Sequence, residues 1–310
     1  MAGLDKLVLV TRKTRLAELV ERFNTRAQAR FYIERAGGDF GEYLKEDDTY
    51  RRSLEEVRSA LELGLKLQVM DRSLVSTYLF TEHDLVIAAG DDGLVANTAK
   101  YIGSQPLIGV NVDPERNDGV LMPIGPAVLR RTVHRVLQGQ ARMRRVTLAQ
   151  ASLNDGQRLL AFNDLFIGAR SHVSARYRIR WGQTEEPHSS SGIIVSTGAG
   201  STGWLSSVFN MVHGVASFLS KADRGRGRLR MDWEDPRLAF VVREPFVSKH
   251  SQAGVVAGLV EPGQVLRVES LMPSAGVIFS DGIEADFLAF NSGATARIEA
   301  AEHRAHLVVG

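Results

Sequence analysis

The chain has 310 residues, 44% hydrophobic and 24% charged, a balance that fits a soluble globular protein of two domains or one large one. It has no cysteine, which excludes disulfides, thiolate metal sites and cysteine nucleophiles. A formal net charge of +2 gives no argument for nucleic acid, and no apolar run reaches the ~20 residues of a membrane span. The opening MAGLDKLVLVT enters a strand at once and shows neither the apolar core nor the Arg/Ser-rich composition of a targeting leader, so a cytoplasmic protein is expected.

Residues 6–11 (KLVLVT) read as a strand and 15–23 (RLAELVERF) as an amphipathic helix. Residues 36–50, glycine-rich and then acidic, read as a loop. Residues 53–63 read as a helix, with Leu54, Val57 and Leu61 on one face, Ser53 as N-cap and Gly64 as its stop. Short strands are expected at 67–70, 84–89 and 106–112, a turn at 113–119 and a helix at 127–137. Strands alternating with helices predict an α/β domain with a parallel sheet over 1–143. From residue 144 the pattern changes to short alternating runs. In 174–181 (SARYRIRW), Tyr177, Ile179 and Trp181 share one face while Arg176, Arg178 and Arg180 share the other. Further runs at 238–243, 255–259, 265–270, 276–279, 295–300 and 305–309 predict a β-rich domain over 144–310. One helix, 205–221, interrupts it.

The chemistry concentrates on two turns. In the first, the buried run 84–89 meets Gly90-Asp91-Asp92-Gly93, and helical spacing begins at Leu94. Ligands of open α/β sheets bind on such turns, where a helix N-terminus offers free N–H groups and a favourable dipole. A carboxylate there can take a proton from a hydroxyl or position a phosphate-bound Mg2+, or it can simply cap the helix. In the second, strand 193–196 meets Thr197-Gly198-Ala199-Gly200-Ser201-Thr202-Gly203 before the next helix. That turn can hold phosphate, ribose or an adenine edge, or it can be a tight connection. Asn163-Asp164 can bond ribose hydroxyls or form an Asx turn.

Taken in order, these pieces resemble the NAD kinase family, within the superfamily that includes diacylglycerol kinases and 6-phosphofructokinases. Residues 90–93 resemble the superfamily's Gly-Gly-Asp-Gly motif, with Asp91 in place of the second glycine and Asp92 on the aspartate. Asn163-Asp164 resembles the family's Asn-Glu pair. Residues 192–204 resemble its Gly-Leu-Ile-Val-Ser-Thr-Pro-Thr-Gly-Ser-Thr-Ala-Tyr motif, and Ser280-Asp281-Gly282 its late Asp-Gly turn. Residues 109–119 (GVNVDPERNDG), Ser190-Ser191-Gly192 and Arg243-Glu244-Pro245 most resemble the branch that contains the animal mitochondrial NAD kinase. Ser191 stands where most bacterial members have aspartate.

The resemblance implies a Rossmann-like N-terminal domain, a β-rich C-terminal domain and phosphoryl transfer from ATP or polyphosphate to the adenosine 2′-hydroxyl of NAD. It makes Asp92 the catalytic acceptor and puts Gly90, Asp91, Gly93 and Asn111 beside the phosphates. It puts Asn163, Asp164, Ser191, Thr197, Ser201, Thr202 and Trp204 around NAD. Mg2+ would arrive with ATP, with no protein-built metal site, and the protein would be a homodimer or homotetramer that binds neither nucleic acid nor membrane. A kinase for another small hydroxyl substrate, such as a sugar, and a catalytically weak nucleotide-binding regulator remain alternatives on the same scaffold.

Other signals are weaker. The run Arg224-Gly225-Arg226-Gly227-Arg228-Leu229-Arg230 can attract phosphates or form a solvated loop. The histidines show no HxxxH or HExxH pattern, and no GxSxG elbow supports a hydrolase.

Overall fold

A computed structural model describes residues 3–220 and 229–309. The chain divides into two compact units, Met1–Arg144 with Ala305–Gly310, and Arg145–Arg304.

The first unit is built on parallel strands. In chain order it holds β1 (Lys6–Thr11), α1 (Arg15–Phe23), α2 (Arg26–Arg35), α3 (Phe40–Ala60), β2 (Lys66–Asp71), β3 (Asp84–Gly90), α4 (Asp92–Ala99), β4 (Pro106–Asn111) and α5 (Pro126–Leu137). The strands run in the order β2-β1-β3-β4, all parallel. The chain's last strand pairs its end with β4, Leu307 opposite Leu107. β3 is buried along its whole length, as its unbroken apolar run requires when both faces of a sheet are covered. Leu7, Leu9, Leu85 and Ile87 pack with Tyr50 and Val57 of α3 and with Leu129 and Val133 of α5.

The sequence reading fails at residues 36–50. Most of that stretch is the first half of α3, capped by Asp39, whose side chain accepts from Gly41 N at 2.7 Å. The stretch shows no apolar stripe because its buried face is partly ionic. Glu46 and Asp47 are buried there, Glu46 paired with Arg15 and Asp47 with Thr14 from outside the helix and with Arg51 one turn on. Ser53 is therefore not a cap. It sits inside α3, and its hydroxyl donates to Val112 O at 2.8 Å. α2 is a further helix that the sequence pattern did not announce.

The second unit holds β5 (Met143–Leu153), β6 (Arg158–Ala161), β7 (Asp164–Ala169), β8 (Ala175–Trp181), β9 (Thr184–Ser190), β10 (Ile193–Ser196), α6 (Trp204–Ser220), β11 (Leu238–Val242), β12 (Ala257–Val260), β13 (Leu266–Ser270), β14 (Gly276–Ser280), β15 (Ile283–Ala289) and β16 (Thr295–Val308). β5 begins, and β16 ends, in the first unit. One antiparallel sheet runs β12-β11-β10-β7-β14-β15. A second antiparallel set runs β16-β13-β8-β9. Their inner faces share one core, in which Tyr177, Ile179, Val268 and Ile298 meet Ile167, Ile193, Val195, Phe240 and Ile278. α6 packs Leu205 and Val208 on Ile194, Ala239 and Val241.

The alternation in β8 holds for Tyr177 and Ile179, which are buried, and for Arg176 and Arg180, which are exposed. β9 (TEEPHSS) escaped the sequence reading because its inward residues are polar. Glu186, His188 and Ser190 are buried, and His188 Nε2 lies 2.7 Å from Glu186 Oε1. The runs 295–300 and 305–309 belong to a single strand, β16, whose middle is more exposed.

Candidate functional site

In the first unit the carboxyl ends of β1, β3 and β4 gather the charged residues of interest, where ligands of parallel sheets bind. Asp91 has extended backbone, φ −122°, and caps α4: its Oδ1 accepts from Leu94 N at 2.9 Å. Its Oδ2 lies 2.9 Å from Arg12 Nε, just past β1. Of the roles open to a carboxylate on this turn, Asp91 takes the cap, together with an ion pair, and the turn needs no left-handed residue. Gly90 leaves room for Leu94, whose Cδ2 would lie 2.7 Å from a Cβ there and would have to shift. Gly93 is exposed in the first turn of α4.

Asp92 is half-buried, and backbone donors fix it. Oδ1 accepts from Leu121 N at 2.8 Å and Oδ2 from Val120 N at 3.2 Å. Each carboxylate oxygen retains a second acceptor direction, so Asp92 is oriented without being used up. Asn111 braces the following loop: its Oδ1 accepts from Asp113 N at 3.1 Å and its Nδ2 donates to Asn117 O at 3.2 Å.

Sequence reasoning missed Arg12 and the acidic hub behind it. Arg12 Nη1 lies 3.5 Å from Glu46 Oε1, and its guanidinium is 5.3 Å from the Tyr50 ring centre. Tyr50 OH accepts from Arg12 N at 3.0 Å and donates to Ala89 O at 3.1 Å, tying β1 to the end of β3. Glu46 also pairs with Arg15 at 2.6 Å and with Arg116 at 3.5 Å. Arg12 could have been suspected from its position at a strand's carboxyl end, but Glu46 was hidden in a segment read as a loop.

In the second unit, residues 162–164 are held from two sides. On one side Thr197 Oγ1 donates to Phe162 O at 2.6 Å, and Thr197 N donates to Asn163 O at 2.9 Å. On the other, the Asp281 carboxylate accepts from the N–H groups of Phe162, Asn163 and Asp164 at 2.9, 2.7 and 3.2 Å. The Asn163 side chain makes no hydrogen bond among the described residues, and Asp164 Oδ1 is buried without one. Burial pushes the Asp164 carboxyl up to about 7. The Ser196 hydroxyl opposes that push and the Asp281 charge adds to it.

The glycine-rich turn is largely occupied with itself. Thr197 and Ser201 are fully buried; Ser201 Oγ donates to Gly198 O at 2.7 Å and accepts from Met231 N at 3.2 Å. Gly200 has no room for a side chain, since a Cβ would lie 2.3 Å from Asn163 O. The turn's glycine thus admits the protein's own backbone. Thr202 is exposed. Trp204 stacks on Phe166, 5.7 Å between ring centres, and carries the Arg243 guanidinium 5.5 Å from its own ring centre. Phe166 stacks in turn on Phe279 at 4.8 Å. Ser191 N donates to Arg243 O at 2.9 Å, which places Ser191 beside this aromatic group. Sequence reasoning named Trp204 but not Phe166 or Phe279.

Most of the basic run, 224–228, lies outside the described residues. Its Arg230 lines a cavity of about 170 Å³ with Ser201, Thr202 and Phe209, smaller than an ordinary small-molecule site. Among the described residues no group of three or more His, Asp or Glu side chains could hold a metal. No described helix is long and apolar enough to cross a membrane.

No protein-family model and no curated protein matches the sequence. Solved structures do match. The chain is similar to yeast NADH kinase in complex with NADH, at 14% identity and a TM-score of 0.59, over 98% of this chain and 83% of that one. It is also similar to an NAD kinase from Archaeoglobus fulgidus in complex with ATP, at 16% identity and a TM-score of 0.58, over 98% and 93% of the two chains. The chain has the two-domain NAD kinase fold: a parallel α/β unit and a β-rich unit.

Proposed function

We propose that this protein transfers the terminal phosphoryl group of ATP, or of polyphosphate, to the adenosine 2′-hydroxyl of NAD, giving NADP. The observation that carries the reading is the pair Asn163-Asp164. Its backbone is fully engaged, while the Asn163 side chain makes no hydrogen bond among the described residues and Asp164, although it takes a hydrogen bond from Ser196, keeps its Oδ1 without one, which leaves both side chains capacity for ribose hydroxyls. The shared fold with proteins solved in complex with NADH and with ATP supports it. Residues 109–119 and Ser191 favour the mitochondrial-type branch, and a homodimer or homotetramer goes with that assignment.

In this reading Asp92, aimed by the Val120 and Leu121 N–H groups, accepts the 2′-hydroxyl proton. The 2′-oxygen forms a bond to the γ-phosphorus while the bond to the bridging β–γ oxygen breaks, and ADP leaves. Mg2+ would be held by the triphosphate itself rather than by a protein-built site, and would supply neutralisation of the phosphate charge. Free N–H groups at the start of α4 offer further stabilisation to phosphate oxygens. Catalysis then rests on positioning and charge neutralisation.

Purified protein with Mg-ATP and NAD, scored for NADP and ADP, tests the proposal. NADP formation is expected. ADP release that needs a different hydroxyl acceptor would transfer the reading to another small-molecule kinase. Nucleotide binding with no turnover would make the protein a regulator.

A further inference from the structure

Asp281 and Gly282 form the turn between β14 and β15 in the second unit, whereas the phosphoryl-transfer groups belong to the first. Asp281 sits there at φ +52°, the left-handed region that a non-glycine residue occupies only when its surroundings hold it, and Gly282 follows at φ +72°. The pairing of β14 with β15 shifts register at this point, between Phe279 and Ser280. The result is that one carboxylate faces the three successive N–H groups of residues 162–164. Successive backbone N–H groups turned to one side form an anion-binding concavity, and here the anion is supplied by the chain itself. The grip is reciprocal, since Asp281 N donates to Asp164 O at 3.0 Å.

We propose that Asp281 is the positioning residue that aims the Asn163 and Asp164 side chains at the ribose of the dinucleotide. The proposal rests on the NAD reading above. Three features carry it. Asp281 takes the N–H groups of this segment while Thr197 takes the carbonyls of Phe162 and Asn163, so the backbone has no freedom to rotate the two side chains away. The bonds run to a charged acceptor, which makes them stronger than neutral ones. The side chains so aimed keep hydrogen-bonding capacity: Asp164 Oδ1 has no partner, and Asn163 makes no side-chain hydrogen bond among the described residues. Asp281 does not touch the ligand in this scheme; it acts through the pair.

The test is Asp281→Asn, which keeps the shape of the side chain but sets an amide group against backbone donors. The expected result is a Kd for NAD, read by calorimetry, raised roughly ten- to hundredfold. The Kd for ATP should change less than threefold, and kcat at saturating NAD should stay within about threefold. Asp281→Glu, which retains the charge on a longer arm, should recover part of the NAD affinity. Unchanged NAD affinity in the asparagine variant, or equal losses for NAD and ATP, would overturn the proposal. If the variant does not fold, hydrogen exchange of the wild-type protein decides. The amides of Phe162, Asn163 and Asp164 must be protected before NAD is added, and rapid exchange there sinks the idea. A wild-type protein that does not bind NAD at all would instead remove the functional reading, an outcome distinct from failure of Asp281 alone.

Discussion

Arg12 and Asp91 form an ion pair, Nε to Oδ2 at 2.9 Å, with the Arg12 side chain 15% exposed and that of Asp91 35%. The pair gives a physical account of how an acidic residue can stand in a turn that is to receive a triphosphate. An unpaired carboxylate about 6 Å from a phosphate charge, at an effective dielectric near 20, is opposed by roughly 3 kcal/mol. Removing Arg12 should restore that opposition. Arg12→Ala is expected to raise the KM for ATP by about a hundredfold. Asp91→Gly alone should leave the Mg2+ requirement unchanged, because its charge is already balanced. The double variant should recover most of the lost ATP affinity. Steady-state kinetics on the four proteins of this cycle check the point, and a double variant as weak as Arg12→Ala would refute it.

Asp92 is oriented by Val120 and Leu121 but keeps free acceptor directions. Loss of a general base typically costs about 10²–10⁴-fold in rate. Asp92→Asn should fall in that range while NAD binding stays within about threefold. Turnover close to wild type would remove Asp92 from the mechanism. A melting curve separates a catalytic loss from a loosened 119–121 loop.

Asp164 predicts a pH-dependent stability. Its carboxyl is raised to about 7 in the folded protein, chiefly by burial. Unfolded, it ionises near the ordinary aspartate value of about 4. Between these values the folded state keeps a proton that the unfolded chain releases. The stabilisation is full below pH ~4 and lost as pH rises to about 7, at most roughly 4 kcal/mol in all. Asp164→Asn should flatten this slope, so that the variant is the more stable protein at pH 8. Calorimetric melting from pH 4 to 8 measures it, and parallel curves for the two proteins would refute it.

The same residue separates binding from scaffolding. Asp164→Ala should weaken NAD binding by roughly 1–3 kcal/mol, the range for a hydrogen bond involving a charged group, and leave ATP binding in place. Equal losses for both nucleotides, or a lower melting temperature with no change in affinity, would assign Asp164 to the turn alone.

Several parts of this protein were determined by short stretches of sequence. The runs KLVLVT, DLVIAA and PLIGVNV became β1, β3 and β4 because an apolar run closed by glycine or a turn residue carries its own instruction to be buried. The alternation in ARYRIRW set which side of β8 faces the core. The aspartates of the first turn and the Asn163-Asp164 pair were visible as chemistry. What only tertiary structure decided was what those groups are bonded to. The first half of α3 looked like a loop because part of its buried face is Glu46 and Asp47, whose burial is tolerable only once Arg12, Arg15 and Arg116 reach Glu46 and Thr14 reaches Asp47 from outside the helix. β9 gave no strand signal because its inward Glu186 and His188, which bond each other, are polar where an apolar alternation would have been legible. Thr197 and Ser201 looked like ligand groups, yet their hydroxyls are spent on Phe162 O and Gly198 O. Asp281 meets Asn163 across 118 positions of chain. Hydrophobic periodicity is written locally because it needs only the strand or helix that carries it. The pairing of a buried charge needs a second partner, and the fold alone chooses which one.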